Sequence, residues 1–87
     1  MKVAILYRPN SEHARLVEEF AHDIERQQGV RGELTSIETR DGAAMATLYD
    51  ITSYPAILVI REDGGVVQTW LGEQLPLMNE VASFARG

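Results

Sequence analysis

The chain has 87 residues, 45% of them hydrophobic, with 13 acidic against 8 basic side chains, a formal net charge of −5 and no cysteine. A length of this order supports one domain, residues 1–87, with one modest core, and the acidic balance argues against a nucleic-acid backbone or an anionic membrane as partner, since both select basic surface. The lack of cysteine removes disulfide support and thiol chemistry, and small cysteine-free domains follow the cytoplasmic rather than the secreted pattern.

Val3 to Tyr7 is a continuous apolar run that suits a strand buried on both faces. Pro9-Asn10-Ser11 ends it, and Asn10 or Ser11 is suited to cap a helix by accepting a bond from a first-turn N–H. Ala14, Val17, Phe20, Ala21 and Ile24 then recur at spacings of three and four, which places them on one helical face. Glu18, Glu19, Asp23 and Glu25 read as the solvated side. Gly29 closes the helix in the left-handed position. Glu33 to Glu38 is a weaker strand, with Leu34 and Ile37 its only large apolar residues, and so reads as an edge. Arg40-Asp41-Gly42 reads as a turn and Ala43 to Tyr49 as a short helix, with Met45 a core filler.

Ala56 to Ile60 is a second buried strand. Glu62-Asp63-Gly64-Gly65 makes a hairpin turn, because glycine supplies the positive φ such turns need, and Val66 to Leu71 returns antiparallel until Gly72 breaks it. Pro76 fits the first turn of a last helix, with Leu77, Val81, Phe84 and Ala85 facing inward and Met78 filling the core. Trp70 reads as core or half-core, its direction left open; exposed beside Tyr54, it would make an aromatic patch instead. The order β-α-β-α-β-β-α is solved most economically by an α/β architecture, a four-stranded mixed sheet with helices on both faces. No apolar run approaches the ~20 residues that cross a bilayer, and Met1 to Arg8 is too short an apolar stretch for a signal peptide.

Leu48-Tyr49-Asp50-Ile51-Thr52-Ser53-Tyr54-Pro55 followed by Ala56 to Ile60 resembles the segment of the thioredoxin superfamily that runs from a small helix through a proline into a central strand. Asp63-Gly64-Gly65-Val66-Val67 is similar to the hairpin of that family, and Gly72 to the glycine before its last helix. The resemblance spans nearly the whole chain and implies the minimal thioredoxin-like fold, with Pro55 cis. It also implies a groove in which the backbone N–H and C=O of the residue before the proline, here Tyr54, are open to a peptide or a glutathione-like backbone. The family's Cys-x-x-Cys would fall on Ser11-Glu12-His13-Ala14, or in a thioredoxin-like spacing between Tyr7 and Asn10. Neither stretch holds a thiol, and disulfide exchange needs a thiolate attacking sulfur, so thiol-disulfide oxidoreductase activity is excluded.

The candidate groove comprises Arg8, Asn10, Ser11, Glu12, His13, Ser53, Tyr54 and Pro55. Arg8 and the helix start suit a carboxylate or phosphate; in the plainer alternative Asn10 or Ser11 caps, Glu12 complements the helix dipole and His13 is solvated. Ser11 and His13 do not make a hydrolase pair, because residues two apart on a helix do not face each other. His13 and His22, nine apart, would sit about 180° around a helix and could not share a metal. No catalytic residue, metal or cofactor is expected. The expected role is binding of an unknown protein or peptide by a monomer, without redox chemistry. Two other readings stay open: a glutathione or small-anion binder using Ser11 or Tyr7, and a purely structural domain that assembles through the Glu33–Glu38 edge.

Overall fold

A computed structural model describes residues 1–87. Its elements are β1 (Lys2–Tyr7), α1 (Ala14–Gln28), β2 (Gly32–Ser36), α2 (Arg40–Leu48), β3 (Ala56–Ile60), β4 (Val66–Leu71) and α3 (Met78–Ala85). One mixed sheet runs in the order β2-β1-β3-β4. β2 lies parallel to β1, and β3 runs antiparallel to both β1 and β4. The two continuous apolar runs therefore take the centre and the sparse ones the edges, as burial on two faces demands.

Alternation along the strands builds two cores. Val3, Ile5, Ile57 and Val59 face α1 and α3, meeting Val17, Phe20, Ala21, Ile24 and Val81. Ala4, Leu6, Ala56, Leu58 and Ile60 face the other way, where Ile51 and the α2 residues Met45 and Ala46 cover them. All five apolar positions of the α1 face are buried, and Gly29 ends the helix at φ 68. Trp70 is half-buried on the α1–α3 face, meeting Phe84 edge-on at 5.6 Å, a geometry that adds about 0.5–1.5 kcal/mol to the area buried. A guanidinium N–H of Arg86 donates to the Gln28 carbonyl, closing the end of α1 against α3. No helix is long and apolar enough to cross a membrane.

Several boundaries differ from expectation for physical reasons. β2 spans Gly32–Ser36 rather than Glu33 to Glu38, because the Ser36 hydroxyl accepts the Glu38 N–H and the Ser36 carbonyl accepts both the N–H and the hydroxyl of Thr39. This turn starts α2 at Arg40, so Arg40-Asp41-Gly42 is helical. Thr39 caps it, its hydroxyl accepting the Gly42 N–H at 3.0 Å. Gly42 marks close approach, not a turn: a Cβ there would stand 1.9 Å from the Ser36 carbonyl oxygen. Pro76 lies ahead of α3 rather than in its first turn. Leu77, expected to face inward, is the N-cap and 72% exposed.

The hairpin between β3 and β4 turns as expected, with Gly64 at φ 92. The Asp63 carboxylate accepts from the Gly65 N–H at 2.9 Å and from Arg61 at 3.3 Å. The Gly65 bond, then Arg61, hold the Asp63 carboxyl below its ordinary value of 3.8.

Two measurements check these contacts. Gly42→Ala should lower stability by about 1–3 kcal/mol in urea unfolding, as overpacking does, although glycine to alanine in an exposed helix interior gains about 1 kcal/mol. A carboxyl carbon-13 titration should place the Asp63 midpoint below 3.8. Because the folded value is depressed, the contribution of Asp63 to the hairpin is fully present above that pH and is lost as pH falls through the folded value. Asp63→Asn should abolish this pH dependence.

Candidate functional site

The site follows from strand register. Leu6 pairs with Ala56 in the antiparallel β1–β3 ladder. Continuing the chain past both strand ends brings Tyr7 toward Pro55 and Arg8 toward Tyr54. The Arg8 guanidinium lies 5.2 Å from the centre of the Tyr54 ring, a cation–π distance. The turn after β1 and the loop before β3 are thus the two walls of one surface.

The first wall is fixed by His13. Its Nε2 accepts the Arg8 backbone N–H at 3.1 Å, and the residue is only 7% exposed. An accepting Nε2 assigns the ring proton to Nδ1. The Ser11 hydroxyl donates to the Arg8 carbonyl at 2.6 Å. Between them Asn10 takes the left-handed conformation at φ 61, which asparagine tolerates better than most residues.

This corrects three expectations. Neither Asn10 nor Ser11 caps α1; His13 is the N-cap residue, without a side-chain bond to the first turn. Ser11, Glu12 and His13 form a turn before the helix rather than its first residues. His13 is buried, not solvated, because only from inside the turn can its ring reach the end of β1. Its occupied Nε2 also leaves Ser11 without a base.

The second wall runs from Ile51 to Pro55. The Tyr54–Pro55 peptide bond is cis. Pro55 is fully buried, and its carbonyl accepts the Gly72 N–H at 2.9 Å, which ties the loop to the end of β4. The Tyr54 hydroxyl donates to the Ile51 carbonyl at 3.2 Å. The backbone N–H and C=O of Tyr54 have no hydrogen-bond partner within the chain. Ser53 is exposed and its hydroxyl makes no hydrogen bond.

Arg8, Ser11, His13, Tyr54 and Pro55 are therefore brought together, while the side chains of Asn10, Glu12 and Ser53 make no hydrogen bond or ion pair. The Trp70–Tyr54 patch does not form, since Trp70 packs on the α1–α3 face and Tyr54 on the α2 face. The chain's ion pairs, Lys2–Glu33, Asp23–Arg26 and Arg61–Asp63, all lie elsewhere. No cluster of histidine and carboxylate ligands suits a metal.

Sequence reasoning missed one feature. A cleft of about 440 Å³ opens between α2 and the second wall, bounded by Ile37, Ala46, Ile51 and Tyr54. Its signal was the small residues Ala43 and Ala46 on α2, which leave room beside the loop. Tyr54 borders this cleft and also carries Arg8 on its ring.

No protein-family model matches the sequence, and no curated protein does. Among solved structures, thioredoxin 1 from the thermophilic eubacterium Thermosipho africanus TCF52B matches with a TM-score of 0.69 at 8% identity, over 99% of this chain and 91% of that one. What the two chains share at that identity is the fold: the architecture here is thioredoxin-like, in a chain without cysteine.

The histidine-closed turn is directly testable. His13→Ala should cost about 1–3 kcal/mol, because it removes a buried ring and leaves the part-buried Arg8 N–H without its acceptor. Long-range proton–nitrogen correlation in the native protein should show Nδ1 protonated and Nε2 bare; the opposite tautomer would contradict the Arg8–His13 bond.

Proposed function

We propose that this thioredoxin-like chain is a binding module without redox chemistry of its own, and that it holds an extended peptide segment against Tyr54. One observation carries the reading: the unpaired main-chain N–H and C=O of Tyr54, set beside the fixed Arg8 turn. A free donor and a free acceptor on one residue are what a partner strand needs for main-chain pairing. Each such bond contributes about 0.5–1.5 kcal/mol net, so pairing alone gives weak binding. The cleft beside Tyr54, walled by Ile37, Ala46 and Ile51 together with the polar Thr47, Asp50 and Thr52, offers a place for a side chain of the same segment. With no cysteine to form a mixed disulfide, complexes stay non-covalent and reversible. The partner is a protein or peptide met by a monomer, in the cytoplasm on the argument from cysteine usage, and the reading requires no cofactor.

A proton–nitrogen correlation titration with a mixed library of unstructured, end-capped octapeptides tests this. The amides of Arg8, Tyr54, Ala56 and Gly72 should shift together. Shifts confined to surfaces away from these residues would sink the proposal. A response to millimolar glutathione with none to peptides would favour the small-ligand alternative.

A further inference from the structure

The occupant of this groove can be specified further from Arg8, on the premise that the Tyr54 reading above holds. Arg8 is held at three points. Its N–H is bonded to His13, its carbonyl to Ser11, and its guanidinium lies over the Tyr54 ring. Tyr54 is itself anchored through its hydroxyl to the Ile51 carbonyl. Arg15, Arg31, Arg40 and Arg86 also lack a carboxylate partner, but none of them lies over an aromatic ring. Glu12, on the same turn, makes no ion pair with Arg8.

A guanidinium held over a ring by a cation–π contact still has N–H donors of its planar fork to offer a planar anion. The cation–π contact restricts this exposed side chain, so it has less rotamer freedom to lose on binding an anion than a free arginine. A carboxylate accepts such a fork in bidentate fashion. In a chain of net charge −5, long-range attraction does not favour acidic partners, so the selection must be local to this residue.

We infer that Arg8 is the specificity-determining residue of the groove, and that the bound segment is an extended peptide carrying an aspartate or glutamate beside the residue paired with Tyr54. The carboxylate meets the edge of the guanidinium while the peptide backbone meets the Tyr54 N–H and C=O. The ring of Tyr54 fixes the spacing between the two contacts.

The test uses immobilised octapeptides, acetylated and amidated at their ends, in which one position at a time is Asp, Glu, Asn or Gln. The native protein should prefer the carboxylate over the matching amide at one position by roughly tenfold or more, the range expected for charge-assisted hydrogen bonds. Arg8→Gln retains the main-chain N–H and carbonyl that bond His13 and Ser11; it should erase the preference, so that acid and amide peptides bind it equally. Arg8→Lys should restore part of it. Equal binding of acid and amide peptides, with the Tyr54 and Gly72 amides still shifting, overturns the role of Arg8 and leaves the groove standing. A preference that survives Arg8→Gln also overturns it. No shift at Tyr54 or Gly72 with any peptide removes the groove and this inference together.

Discussion

The antiparallel pairing of β1 with β3 is the constraint on which the rest depends. Both strands are apolar on both faces, so their alternation decides which residues join which core: Ile57 and Val59 turn toward α1 and α3, Ala56, Leu58 and Ile60 toward α2. A slip of one residue would exchange these sets and set the larger group against helices shaped for the smaller. Burial of one Ile or Leu side chain is worth about 1.5–3 kcal/mol, so the register is strongly enforced. Leu6 opposite Ala56 is the last pair of that ladder. The meeting of Arg8 with Tyr54 just beyond it is a consequence of core packing.

The turn between β1 and α1 shows how a small domain can hold a loop rigid without a disulfide. A buried imidazole and an exposed hydroxyl satisfy the N–H and the carbonyl of the same residue, Arg8. The start of α1 forgoes side-chain capping in return, and its first buried residue, Ala14, follows His13 directly. On the opposite wall Pro55 is tied to Gly72, so the loop before β3 inherits the order of β4. The surface between the walls keeps its main-chain polarity because no group of either wall bonds the Tyr54 N–H or carbonyl.

The fold was legible where the signal was periodic. The five inward residues of α1 and the two central runs read from their apolar pattern, because burial imposes the same period on sequence and on structure; the hairpin glycine and the sparse edge at Leu34 read from residue type. The reading failed where one letter serves two geometries. Gly42 looks like a turn in sequence and is a point of contact between α2 and the end of β2. Leu77 looks inward by spacing, but it sits at the N-cap, where the chain has not yet entered the helix. His13 was the largest loss: a histidine beside charged and polar residues gives no sign of a backbone partner five positions earlier.

By itself the sequence determined the element order, the two-sided burial of the central strands and the exclusion of thiol chemistry, since each follows from residue type and period within a short window. It also placed the candidate residues on two segments, around Arg8 and around Pro55. That the segments face each other, that His13 locks the first, that Trp70 turns away from Tyr54 and that a cleft opens beside Ile37 were decided only by the tertiary structure. Those facts depend on strand register and on helix position over the sheet, which are set by packing between residues distant in the chain and leave no local trace in the letters.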